Sequence, residues 1–112
     1  MTNSEQSSGD MLFDALTPLK FKVHVTRRYW QLIVNVKHPV MQGREETVRQ
    51  ALTNPEEIRL SSSDPTVYLF YTAEHPGRWV CAVAKRENED DGFLITAYPT
   101  GAIKEGVTIW PR

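Results

Sequence analysis

Seven side chains of this sequence can do chemistry together without a metal: His38, Arg59, Lys85, Thr96, Tyr98, Thr100 and Lys104. Such groups can position a phosphodiester, deprotonate an attacking hydroxyl and neutralise the charge of a pentavalent phosphorane. In RNA cleavage the nucleophile is the ribose 2′-hydroxyl, so the protein supplies only acid, base and cation. Histidine titrates near neutrality and serves as either proton carrier. Arginine and lysine give fixed positive charge, and threonine and tyrosine hydroxyls donate hydrogen bonds to non-bridging oxygens. Arg27 and Arg28 add two cations in the first turn of an expected helix, an end whose dipole disfavours them. The same residue types also serve as ordinary surface groups, and two solvated arginines need no function, so geometry decides.

Other chemistries have less support. His24, His38 and His75 fall on a strand, at a helix end and in a turn, with no i,i+4 pair and no H-E-x-x-H pattern to hold zinc. The acidic run 87–91 lacks the alternating ligands and distal glutamate of a calcium loop and reads as a solvated hairpin link. No phosphate-cradling glycine pattern occurs, and neither metal nor cofactor is expected. The single cysteine, Cys81, excludes a disulfide framework within one chain and points to the cytoplasm. Set in an apolar strand, it reads as a small hydrophobe rather than a nucleophile.

The elements that must position these groups centre on residues 78–100. Two apolar runs, 79–84 and 93–98, flank a polar link ending in Asp91-Gly92, the pattern of a β-hairpin. Strict alternation puts Trp79, Cys81, Val83 and Lys85 on one face of the first strand. In the second it puts Leu94, Thr96 and Tyr98 on one face and Phe93, Ile95 and Ala97 on the other. Upstream, residues 1–19 read as a disordered or loosely ordered tail in which 11–16 make at most a short helical turn before Pro18. Residues 21–25 alternate as a strand, with His24 on the outer face. Thr26 is the expected N-cap of a helix running to about Val36, and Pro39 forces His38 out of helical geometry. A second helix covers 44–53 and stops at Asn54-Pro55. Strands follow at 56–61 and 67–71, then the hairpin, then a short closing strand at 107–110, whose unpaired edge could take a partner strand. The expected fold is α+β: N-terminal helices packed on one face of an antiparallel β-meander of four to five strands, as one domain over 20–112.

Bulk properties set the remaining bounds. At 112 residues the chain holds one modest core. No apolar run approaches the about 20 residues needed to span a bilayer, and the N-terminus lacks the pattern of a secretory leader. Net charge is −1, yet residues 20–59 carry eight Lys/Arg against four Asp/Glu. This locally basic middle suits a restricted anionic site better than a broad nucleic-acid surface, though a solvated helix face explains it too.

The segments V-K-H-P-V-M-Q-G (36–43), D-P-T-V-Y-L-F-Y (64–71), R-W-V-C-A-V-A-K (78–85) and G-F-L-I-T-A-Y-P-T-G-A-I-K-E-G-V-T-I-W (92–110) carry a resemblance. In their order, the chain from about Phe21 to Trp110 resembles the PBECR domains, the phage-type branch of the barnase, EndoU, colicin and RelE-like nuclease fold. The resemblance implies helices on an antiparallel sheet and metal-independent RNA cleavage, in some members as the toxin of a toxin–antitoxin pair. It implies His38, Arg59, Lys85 and Thr96 as catalytic residues, and Tyr98, Thr100 and Lys104 as substrate-binding residues. One departure stands out: where resembling members place a histidine beside the helix tryptophan, this chain has Tyr29 before Trp30. Three readings remain open: a metal-independent endoribonuclease, a non-catalytic RNA- or protein-binding module of the same fold, and a component held by a small antitoxin-like protein.

Overall fold

Thr26 ends a strand and starts a helix. Its backbone is extended (φ −90°, ψ 157°), and its hydroxyl accepts from the Tyr29 amide at 3.1 Å, satisfying a free donor of the first turn. The structure, a computed structural model, describes residues 10–111. Around Thr26 run β1 (Met11–Leu16), β2 (Lys22–Thr26), α1 (Arg27–Leu32), a π-helical turn (Ile33–Lys37), a 3₁₀ turn (Pro39–Met41) and α2 (Glu45–Thr53). Then come β3 (Glu57–Leu60), β4 (Val67–His75), β5 (Arg78–Arg86), β6 (Asp91–Thr100) and β7 (Val107–Trp110). Among the described residues, no helix is long and apolar enough to cross a membrane.

The class is α+β, but the finer expectation needs correcting. One sheet of seven strands, rather than four to five, runs in the order β1-β2-β6-β5-β4-β3-β7. Among the described residues, the β1–β2 hairpin precedes both α1 and α2. Residues 11–16, expected as a helical turn in a loose tail, form β1; residues 1–9 lie outside the described residues. Six residues are too few to hold a helix unaided. Pairing with β2, Phe13 against Val25 and Ala15 against Val23, buries Ala15 instead. The turn between them uses Lys20 at φ 75°, a conformation that glycine would normally mark.

Every strand pair is antiparallel except β2–β6, where Lys22, Val23 and His24 lie alongside Asp91, Gly92 and Phe93. One face of the sheet is covered by helices. Trp30, Ile33, Val34, Met41, Val48, Ala51 and Leu52 pack with Val23, Val25, Ile58, Phe70, Val80, Ala82, Ala84, Leu94 and Ala97 in a single core. Each large side chain so buried contributes about 1.5–3 kcal/mol of transfer free energy. The other face carries a smaller cluster, Leu69, Tyr71 and Cys81, flanked by Trp79, Val83, Tyr98 and Ile103. Ile103 comes from the β6–β7 connection, which folds over this otherwise open face.

A β-bulge corrects the expected alternation on β6. Val83 pairs with Thr96, but Ala84 pairs with Leu94, so Ile95 is an extra residue. Leu94 therefore joins Ala97 in the helix-covered core, while Phe93 pairs with Lys85 and faces the open side.

His24 fastens three strands. Its Nδ1 lies 2.7 Å from Asp14 of β1 and its Nε2 2.9 Å from Asp91 of β6. Partial burial opposes the charged form, but the hydrogen bonds and charges of Asp91 and Asp14 outweigh it and raise the pKa above the usual 6.5. A histidine whose pKa is higher folded than unfolded stabilises fully below the unfolded value, and the gain is lost as pH rises through the folded one. The groups are partly exposed, so the gain is at most about 1 kcal/mol. Thermal melts of wild type and His24→Gln should differ most near pH 6 and converge as the medium becomes alkaline. An offset independent of pH would contradict the charged clamp.

Candidate functional site

His38 reaches the open face because β6 is flanked by β2 only along residues 91–93. Beyond Phe93 the edge of β6 is free, and α1 with its π turn runs along it. The Ile95 carbonyl, at the bulge, accepts from the Tyr29 hydroxyl at 2.7 Å and from Lys37 Nζ at 3.1 Å. Tyr29 thus ties the helix to the sheet. The His38 amide closes the wide turn on the Ile33 carbonyl at 2.8 Å, and Pro39 holds His38 out of helical geometry (φ −143°, ψ 80°), as its position predicts. The half-buried imidazole then packs on the Tyr98 ring, centroids 5.5 Å apart.

Around this pair the sheet sets a regular grid. Cross-strand partners Thr96, Val83, Leu69 and Arg59 form one row on the open face, and Tyr98, Cys81, Tyr71 and Glu57 form the next. Thr96 lies two residues from Tyr98 on the same face, and its buried Oγ1 has no hydrogen-bond partner among the described residues. The Cys81 thiol sits beside the Tyr98 and Tyr71 hydroxyls. Burial pushes it up to about 12 against the pull of those hydroxyls, so it stays protonated and is no nucleophile. Burial first, and Cys81 next, also hold Tyr71 and Tyr98 well above the ordinary phenol value of 10.0. Both hydroxyls are hydrogen-bond donors at any physiological pH.

The structure brings His38, Tyr98 and Thr96 together, with Lys85 at the border of the group. Lys85 is diagonal to Thr96 across β5–β6, about 8 Å between backbones, and its Nζ donates to Thr66 Oγ1 at 3.0 Å and lies 3.6 Å from Asp64. Hydrogen bonds from the Thr66 side chain and amide, with the Lys85 charge, lower the pKa of Asp64. Arg59 does not join the group. It is three strands from Thr96, roughly 14 Å, donates to the Ile103 carbonyl at 3.1 Å, and lies 3.5 Å from Glu57, which leaves it the role of holding residues 101–106 over β3. Thr100 opens that segment as a turn, exchanging hydrogen bonds with Ala102 at 3.1 and 3.3 Å. Lys104 is exposed on the same segment. Arg27 and Arg28 are exposed at the far end of α1, about 15 Å along the axis from His38. Arg28 lies 3.6 Å from Asp10 and lines a separate groove with Tyr29, Leu32 and Val36.

Sequence reasoning missed Tyr29, Lys37, Asp64 and Thr66 as parts of this arrangement, and it missed Glu105. A pocket of about 250 Å³ opens between the Ser61–Ser62–Ser63 loop and the β6–β7 segment, floored by Val67, Leu69 and Val83 and walled by Tyr98 and Glu105. Its wall is fixed at Gly106 (φ 76°), where a Cβ would stand 2.3 Å from the Leu60 carbonyl oxygen. The D-P turn was visible in sequence; the carboxylate it would place against Lys85 was not. Among the described residues, no group of three or more His, Cys, Asp or Glu side chains is placed to hold a metal ion. Comparison of the chain with protein-family models, with curated proteins and with solved structures gives no match.

Proposed function

We propose that the chain is a metal-independent endoribonuclease whose substrate lies on the open face of the sheet, with His38 as its proton carrier. The observation that supports this most is the packing of His38 on Tyr98 next to the unpartnered hydroxyl of Thr96. A proton carrier and a permanent hydroxyl donor meet there, and a buried second hydroxyl without a partner lies next to them. In the reaction His38 takes the 2′-hydroxyl proton as the O2′–P bond forms. The P–O5′ bond breaks, and the leaving oxygen takes a proton from water. Tyr98 donates to a non-bridging oxygen, Lys85 turns from Thr66 toward the phosphate, and Thr96 donates once its buried hydroxyl is turned outward. Arg59 acts by positioning residues 101–106 and does not touch the phosphate. The resemblance to the PBECR nuclease domains agrees with this reading, which places the protein in the cytoplasm acting on RNA. A toxin of this kind would be held in check by a small antitoxin-like protein.

A second reading, a non-catalytic RNA- or protein-binding module, is favoured by a specific feature. Lys85 and Arg59 already face Asp64 and Glu57, and Glu105 adds a third carboxylate to the same side. Incubating the purified chain with single-stranded RNA in EDTA separates the two. The nuclease reading predicts cleavage. A complex that weakens with salt and yields no products would establish the module instead.

A further inference from the structure

Among the described residues, Phe93 is set apart from the other aromatic side chains. It is partly exposed and belongs to neither the helix-covered core nor the smaller cluster of the open face. The bulge at Ile95 is what turns it there; a regular β6 would place Phe93 and Thr96 on opposite faces. Bulges that re-aim one side chain recur beside functional sites. On the open face Phe93 lies between Lys85, its partner on β5, and His24, its neighbour on β2. Lys85 is 40% exposed, and its 3.6 Å approach to Asp64 is longer than a hydrogen bond. An aromatic ring outside both apolar clusters thus stands beside a partly exposed ammonium that Thr66 holds by one hydrogen bond, three residues along the strand from Thr96, about 10 Å at most.

We propose that Phe93 is a stacking platform for an unpaired nucleobase next to the scissile phosphodiester, with Lys85 on a phosphate of that nucleotide. The proposal rests on the RNA reading above and specifies how the strand is held. Stacking needs the free face of a base, which a duplex does not offer, so the substrate class is single-stranded RNA or an unpaired loop. Every base has a π-face, so the platform tolerates any of the four. The carboxylates of Asp14, Asp91 and Asp64 border the same row and disfavour a surface that binds by phosphate contacts alone.

The test uses the full chain and a single-stranded 2′-O-methyl oligonucleotide, which cannot be cleaved, with binding followed by fluorescence anisotropy. Phe93→Leu is expected to weaken binding by about 5- to 100-fold, while Phe93→Trp binds within about threefold of wild type because it restores the ring. Lys85→Met should lower the slope of log affinity against log salt by about one phosphate contact. Wild-type affinity in Phe93→Leu, or equal weakening in the leucine and tryptophan variants, would overturn the platform, whatever happens to RNA cleavage. Ring-dependent binding by a chain that cuts no RNA would leave the platform standing and remove the nuclease reading. RNA cleavage with KM unchanged in Phe93→Leu would do the reverse.

Discussion

His38→Ala is expected to slow RNA cleavage by about 100- to 10,000-fold, the range a positioned proton carrier supplies, while the chain keeps its fold. No other histidine can take over. Among the described residues His75 is exposed at the end of β4, and both nitrogens of His24 are engaged by Asp14 and Asp91. Tyr98 and Cys81 are held protonated by burial and cannot serve as bases near neutrality. The turn itself depends on the His38 amide and on Pro39, which alanine leaves in place. Loss of the ring contact with Tyr98 should cost about 0.5–1.5 kcal/mol of stability. Circular dichroism and a thermal melt, run with the cleavage assay, separate lost chemistry from lost structure. Activity within about threefold of wild type in a folded variant would remove His38 from the mechanism.

Gly92→Ala is expected to be the most destabilising small substitution in the sheet, by about 2–3 kcal/mol or more. A Cβ on residue 92 would stand 2.3 Å from the Lys85 carbonyl oxygen and 3.1 Å from Arg86 Cα, both backbone atoms of β5. Neither can yield without opening the β5–β6 ladder, and Gly92 also lies against Val23 in the parallel pairing with β2. For a domain of this size that cost lowers Tm by roughly 10 °C or more. Gly77→Ala is the informative comparison: its φ of 78° disfavours alanine, but nothing lies within 4 Å of the added carbon. It should cost only about 1–2 kcal/mol. Equal melting shifts for the two variants would show that contact with β5 is not what reserves position 92 for glycine.

Local patterns were readable, and long-range pairings were not. The apolar runs of β4 to β6, the Thr26 cap, the end of the helix at His38 and the burial of Cys81 all follow from neighbours in sequence. β1 was misread because the turn after it places Lys20, not glycine, at positive φ, and because its partner strand is itself short. The β2–β6 pairing joins residues almost seventy positions apart, with His24 and Asp91 separated by 67, and no local signal announces it. That pairing also sets where the free edge of β6 begins, and so where His38 can pass to the open face. Alternation assumes a perfect period of two, which the bulge at Ile95 breaks, so alternation alone puts Phe93 on the face opposite Thr96. By residue type Arg59 and Lys85 offer fixed positive charge. Sequence does not reveal that Glu57 and Asp64 wait beside them. Their partners come from a strand neighbour and a turn, and only the fold makes those contacts.

The most direct test of the central claim is a product analysis of one RNA oligonucleotide cut in EDTA, beside a copy carrying a single 2′-deoxy substitution at the cut position. Attack by the ribose hydroxyl under His38 predicts products ending in a 2′,3′-cyclic phosphate and no cleavage at the deoxy position. Equal cutting of both strands, or cleavage that appears only when a divalent metal is restored, would contradict it.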